Sequence, residues 1–167
     1  MAEIQQIMGL SYSALHTYLP YTKEIYKMSE ISQNAEQVRA YKARKAAVDT
    51  LTESPGEEHL WVCVIAFQNN PFHTISGLPF SYTLKIGRNG EYTKELFIDR
   101  RENSKSLAWS SVRMVFQKTM ERKGYVFTRP KELVDVRGIS YTFSMLWRFG
   151  MITVPEDVEK KLKENRK

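Results

Sequence analysis

Asp99, Glu102 and Lys105 stand close together just past an expected strand, and together they suggest metal-dependent cleavage of a phosphodiester. That chemistry needs an acid and then an acid-x-Lys pair on a neighbouring strand, so that two carboxylates hold a cation and the lysine steadies the attacking water. Here all three fall on one local turn. Acidic residues in the first turn of a helix, near the positive end of its macrodipole, explain Asp99 and Glu102 more simply. His16, His59 and His73 are scattered, without the spacing of metal ligands. Ser110 and Ser111 fall within an expected helix rather than on a strained strand-to-helix elbow. Gly87-Arg88-Asn89-Gly90 lacks the Gly-Lys-Ser/Thr ending of a phosphate loop and opens a strand. Cys63 lies in the apolar run 60–67 and reads as a buried, inert thiol; a lone cysteine excludes an internal disulfide and any Cys-based zinc site. No catalytic residue, metal or cofactor is expected, and a nuclease is the least favoured reading.

Binding is the better-supported chemistry. Residues 1–20 read as two short helices with a corner at Gly9-Leu10-Ser11. A helix-turn-helix needs a residue without a Cβ penalty at that corner and apolar residues pinning one helix to the other. Gly9 is placed for the first requirement. Ile4 and Met8 before it, with Leu10, Leu15 and Tyr18 after it, fall at inward spacings, and Ser11 can cap the second helix. The outward residues are then Tyr12, Ser13, His16 and Thr17, polar groups able to reach base edges in the major groove. Read from spacing alone, an ordinary helical hairpin with these residues in water is the competing interpretation.

The elements that would carry this reader follow in order. Residues 21–32 are expected to be an irregular connector after Pro20. Ser32 is expected to cap a helix over 33–51, with Ala35, Val38, Tyr41 and Val48 as a partial apolar stripe. Arg39, Lys42, Arg44 and Lys45 give that helix a basic side which, with Lys23, suits DNA phosphates. Residues 52–58 carry Pro-Gly among polar residues and read as an interdomain linker. Beyond it, 59–67 is expected as a buried strand and 80–86 as a half-buried one. Asn89-Gly90 signals a hairpin turn, and 92–98 returns as the partner strand. A helix capped by Asn103 or Ser104 is expected to run to about Arg122, and Gly138 to precede an aromatic helix over 139–149. In that helix Tyr141, Phe143, Trp147 and Phe149 read as core, as do Trp61 and Trp109 elsewhere. The charged tail from Pro155 is expected to fray, although Val158 and Leu162 can dock one helical turn. Arg100 and Arg101, with Lys105, Lys85 and Arg88, form either a second phosphate-contacting face or a solvated basic surface.

The stretch Gly9-Leu10-Ser11-Tyr12-Ser13-Ala14-Leu15-His16-Thr17-Tyr18-Leu19-Pro20-Tyr21 resembles the sigma-factor region-4-like helix-turn-helix proteins of Gram-positive bacteria. In that group a recognition helix ending in Leu-Pro-Tyr precedes segments like Lys23-Glu24-Ile25-Tyr26 and Ser32-Gln33-Asn34-Ala35. The resemblance spans about residues 4–45 and implies a sequence-specific DNA-binding regulator. It does not imply a true sigma factor, because regions for gripping polymerase and melting promoters are not visible; RNA polymerase contact has no residue pattern to carry it. Gln5 departs from the small residue such motifs often place against the turn, and the usual helix before the motif is not present. Gly77-Leu78-Pro79-Phe80-Ser81-Tyr82, Glu95-Leu96-Phe97-Ile98-Asp99-Arg100-Arg101 and Gly138-Ile139-Ser140-Tyr141 resemble the C-terminal part of the same group, without adding an activity.

The totals agree with this picture. With 167 residues, 42% hydrophobic and 26% charged, the chain suits one or two folded units. Its net charge of +6 favours a polyanionic partner, since a basic surface gains from counterion release. No stretch suits a membrane span or an export signal, so a reducing cytoplasm is expected. The expected architecture is α+β: a helix-turn-helix with a basic helix over 1–52, an α+β domain over 59–155 built on a β-hairpin and packed helices, and a charged tail over 156–167. The expected partner is double-stranded DNA, with the second domain mediating dimerisation or adding DNA contacts. The competing class is a protein-interaction or mobile-element accessory protein that reads no sequence.

Overall fold

Leu60, Cys63, Val64 and Phe67 recur at the three-to-four-residue spacing of a helix face, and this segment folds as a helix. The expected strand over 59–67 is therefore corrected. The computed structural model describes residues 28–99 and 106–163. Its elements are α1 (Met28–Glu53), α2 (Glu57–Ala66), β1 (Phe72–His73), β2 (Pro79–Phe80), β3 (Tyr82–Ile86), β4 (Tyr92–Ile98), β5 (Leu107–Ala108), α3 (Trp109–Glu121), a 3-10 turn (Pro130–Glu132), α4 (Ile139–Arg148) and α5 (Glu156–Lys163). The fold is mixed α+β, with small antiparallel sheets among the helices. The expected helix-turn-helix, with Tyr12, Ser13, His16, Thr17 and Lys23, lies outside the described residues, as do Arg100, Arg101, Glu102, Asn103, Ser104 and Lys105. The chain divides into two compact units between Tyr41 and Lys42.

A continuous apolar run is ambiguous between a buried strand and a buried helix, and tertiary packing decides it. In α2 the run puts Leu60, Cys63, Val64 and Phe67 in the core, leaves Trp61 and Ile65 half-buried, and exposes Val62. Glu57 and Glu58 occupy its first turn, where the dipole favours them. At its C-terminal end Gln68 N–H turns back to the Ile65 carbonyl, and the buried Tyr82 hydroxyl donates to the Val64 carbonyl at 2.8 Å. A backbone acceptor that would otherwise be orphaned at a helix end is thereby satisfied from a strand.

α1 begins at Met28 and not near Gln33, so Ser32 lies inside the helix and not at its cap. It also runs on to Glu53. The polar stretch 52–58 supplies the end of α1, a corner at 54–56 and the first turn of α2, with Ser54 N–H donating to Thr50 O and Leu60 N–H to Gly56 O. Ala47 and Leu51 are buried with α2 in the second unit's core.

β3 and β4 pair around the Asn-Gly turn in the register Tyr82↔Ile98, Thr83↔Phe97 and Leu84↔Leu96, then resume at Ile86↔Tyr92 past an irregularity. Gly90 takes φ +81°, which the turn requires and a side chain disfavours. β5 adds to the far side of β4 at Glu95↔Ala108 and Leu96↔Leu107. Because Leu107 is spent as a buried strand residue, α3 starts only at Trp109, later than the sequence suggested. Near the core the free edge of β3 is closed by Gln68, whose Oε1 accepts from Leu84 N–H, and by Asn69 N–H donating to Tyr82 O.

α4 carries the aromatic core as expected. Phe143 and Phe149 are fully buried, Tyr141 packs edge-on to Phe80 at 4.8 Å, and Trp147 is half-buried. The tail forms two turns of helix rather than fraying after one, with Val158 and Leu162 both buried and Glu156–Lys160 and Glu159–Lys163 paired across successive turns. Opposite charges at i,i+4 with Glu leading give such a helix the better orientation.

Cys63 is buried as expected, and burial pushes its thiol up to about 12 from 9.0. Burial also drives the Tyr82 hydroxyl well above its ordinary value. Both groups ionise more readily unfolded. The stability they lend is therefore intact below pH 9, the unfolded thiol's range, and falls as pH rises toward 12. The expected result is that native protein at pH 8 resists a colourimetric thiol reagent, and that thermal midpoints decline progressively above pH 9. Stoichiometric labelling of the native protein within minutes at pH 8 would contradict it.

Candidate functional site

The second unit's part of α1 turns its cations unequally. Counting 100° per residue from the buried Ala47 and Leu51, Lys42 and Lys45 point to the opposite side of the helix, and both are exposed. Arg44 falls near the buried side instead. It is half-buried, with its guanidinium 5.9 Å from the centre of the Phe67 ring, so packing claims part of it. The exposed side changes sign along the helix: beyond Lys45 it carries Asp49 and Glu53. Positive charge is thus concentrated on the turn that holds Lys42 and Lys45. In the first unit, Arg39 is exposed, as are Val38 and Tyr41, two of the residues expected in an apolar stripe.

The hairpin brings together what the sequence left as scattered basic residues. Lys85 lies on the outer face of β3, its ammonium 3.9 Å from the centre of the Phe97 ring. Arg88 is exposed at the turn. Lys94 reaches the other side, with its ammonium 4.7 Å from the Trp61 ring centre and 5.3 Å from that of Trp109. The two indoles meet edge to face at 4.9 Å. Trp109 Nε1–H donates to Glu57 Oε1 at 3.0 Å, and Arg113 approaches the same oxygen at 3.5 Å. This cluster joins α2, β4 and α3. Nothing in the local spacing of Glu57, Trp61, Lys94 and Trp109 signals it, because their meeting is set by the sheet and helices together.

Asp99 does not stand in the first turn of a helix. Its carboxylate accepts from Ser81 N–H at 2.8 Å and from Ser81 Oγ–H at 2.6 Å, clasping the open end of the hairpin. The helix whose first turn it was expected to occupy begins only at Trp109. An open recess of about 510 Å³ lies beside it, lined by Asn69, Pro71, Pro79, Phe80, Ser81 and Asp99. Ser110 and Ser111 lie in the first turn of α3. His59 Nδ1 is 2.6 Å from the Ser54 carbonyl and helps hold the α1–α2 corner. His73 has its pKa lowered, first by desolvation and then by the nearby Arg148 charge. Arg148 donates to the Pro71 carbonyl at 2.7 Å and lies over the Phe67 and Phe72 rings. Among the described residues, no three His, Cys, Asp or Glu side chains gather as they would to hold a metal ion. Nor is any described helix long and apolar enough to cross a membrane.

No family model matches this chain, and searches of curated proteins and of solved structures return no match.

Proposed function

We propose that this protein binds double-stranded DNA as a cytoplasmic transcriptional regulator, acting by recognition and not by catalysis. The single observation behind the reading is the exposed pair Lys42 and Lys45, turned away from the core on one side of α1. A rigid helix presenting cations to solvent supplies sequence-independent affinity for phosphates. Arg39, Lys23, Arg100 and Arg101 extend the phosphate-neutralising set, and Arg44 contributes less because it is partly committed to Phe67. Sequence reading is assigned to Tyr12, Ser13, His16 and Thr17, on the strength of the sigma-factor-like resemblance of residues 9–21. A buried free thiol at Cys63 suits a reducing compartment.

The test is a titration of full-length protein against random and selected duplexes at several salt concentrations. Lys42→Ala with Lys45→Ala weakens binding to every sequence alike and flattens the slope of log K against log salt by about 2, at about 0.9 for each phosphate no longer neutralised. Thr17→Ala instead erodes preference for one sequence while sparing affinity for random DNA. Equal losses on both duplexes from both variants would overturn the division of roles. Absence of duplex binding at low salt would overturn the function itself.

A second reading, an interaction protein, draws on the groove of about 250 Å³ between α1 and α2, lined by Ala43, Ala46, Ala47, Thr50, His59 and Val62. The same titration separates the two, since that reading requires no salt-dependent duplex binding.

A further inference from the structure

We propose that Asn89 is a site of spontaneous deamidation, at which the hairpin tip acquires a carboxylate and, in one product, an extra backbone methylene. The Gly90 nitrogen attacks Asn89 Cγ and closes a succinimide ring. The side-chain nitrogen leaves as ammonia, and the Gly90 N–H proton goes with it. Water then adds to the imide. Opening one carbonyl gives aspartate with an ordinary backbone; opening the other gives isoaspartate, whose main chain runs through Cγ. No oxidant or reductant is consumed, and the site stands whether or not the chain binds DNA.

The turn meets the requirements of that ring closure. Of the six asparagines in the chain, only Asn89 precedes glycine. The attacking nitrogen therefore has no side chain beside it, and even a Cβ on Gly90 would meet nothing within 4 Å. Both residues are exposed to water. Nucleophile and electrophile are neighbours in one chain, so closure is unimolecular. Asn89 Oδ1 also accepts from Glu91 N–H at 3.2 Å. That bond folds the amide back onto its own main chain, as asparagine does in turns. Its donor also stabilises the negative charge that grows on Oδ1 as Cγ is attacked. One contact opposes the reaction: Gly90 N–H donates to Gly87 O at 3.0 Å. The nitrogen is free to lose its proton only when this bond breaks, so local opening of the turn sets the rate.

The product differs from the reactant where the tip is held. Asn89 Nδ2–H donates to Glu91 Oε2 at 3.3 Å. A carboxylate in its place accepts but does not donate, and it meets Glu91 as a like charge. The added methylene of isoaspartate lengthens a turn that Gly87 N–H closes onto Glu91 O at 2.7 Å. The pairing of Ile86 with Tyr92 adjoins that turn, whereas Tyr82, Leu84, Leu96 and Ile98 are buried at the base of the hairpin. Loosening is therefore confined to the tip.

The experiment ages full-length protein at neutral and at mildly alkaline pH, both native and unfolded in urea. Trypsin cleavage after Arg88 and Lys94 isolates residues 89–94. Mass spectrometry reads the replacement of NH2 by OH in that peptide, and enzymatic methylation of isoaspartate separates the two products. Native protein is expected to convert at Asn89 ahead of its other asparagines, faster at the higher pH and several-fold faster in urea, with isoaspartate in excess. Asn89→Gln, whose longer side chain must close a larger ring, is expected to lose the conversion, with thermal melting as its folding control. Asn89→Asp carries the product's charge and is expected to speed amide exchange at Gly87 and Gly90 while leaving Leu84 and Leu96 unchanged. Conversion in urea with none in the native protein over the same period would overturn the site. Equal rates in both would overturn the control exerted by the Gly90–Gly87 bond. Wild-type amide exchange in Asn89→Asp would overturn the loosening of the tip by charge.

Discussion

Phe149→Ala is expected to destabilise the second unit by about 3–5 kcal/mol, the range for removing a buried phenylalanine from a packed interior. Phe149 is fully buried just past the end of α4, and its ring centre lies 5.0 Å from that of Phe67 at the end of α2. Phe67 in turn stands 6.1 Å from Phe72 of β1, which packs 5.4 Å from Phe80 and 5.8 Å from Tyr82. Removing one ring therefore opens a cavity at the junction of two helices and the small sheet, where close packing prevents collapse. Chemical denaturation followed by tryptophan fluorescence measures the loss. A cost below about 1.5 kcal/mol, the level of a tolerated core swap, would mean that the aromatic chain does not hold these elements together.

Gly138→Ala is expected to cost about 2–5 kcal/mol, from two separable causes. The backbone there has φ +79°, a conformation that costs a residue with a Cβ about 1–2 kcal/mol. A Cβ would also stand 2.7 Å from Leu107 Cδ1. Leu107 is buried and belongs to β5, so it cannot simply swing aside, and overpacking adds about 1–3 kcal/mol. Gly90→Ala is the matched control: φ is +81°, but a Cβ would meet nothing within 4 Å. It therefore reports the conformational cost alone. Equal destabilisation by the two variants in parallel melts would show that the contact with Leu107 is relieved at no cost.

The contrast between α2 and the hairpin shows where local information was sufficient. Gly87-Arg88-Asn89-Gly90 specifies a turn almost by itself, since positive φ at the turn is a property of the backbone and does not depend on distant contacts. The run 60–67 has no such feature, and either periodicity fits a segment whose residues are nearly all apolar. Its flanks held the clue, with two acids entering and a length suited to several helical turns. Leu107 shows the opposite error. Polar residues upstream invited an early helix start, yet the pairing of Leu107 with Leu96 is a long-range choice that takes it for the sheet.

What the amino-acid order determined alone was the material of each part: the Asn-Gly turn, the aromatic content of α4, the inert cysteine, the surplus of positive charge and the amphipathic pattern of the C-terminal tail. Those follow from local backbone preference, side-chain hydrophobicity and simple charge counting. The tertiary structure decided which neighbours those parts acquired. It closed Lys94 onto two tryptophans, assigned Asp99 to Ser81, drew Arg44 toward Phe67 and left Lys42 and Lys45 facing solvent. The reason is physical: contacts between residues far apart in the chain depend on how helices and strands pack, and no short window of sequence contains both partners.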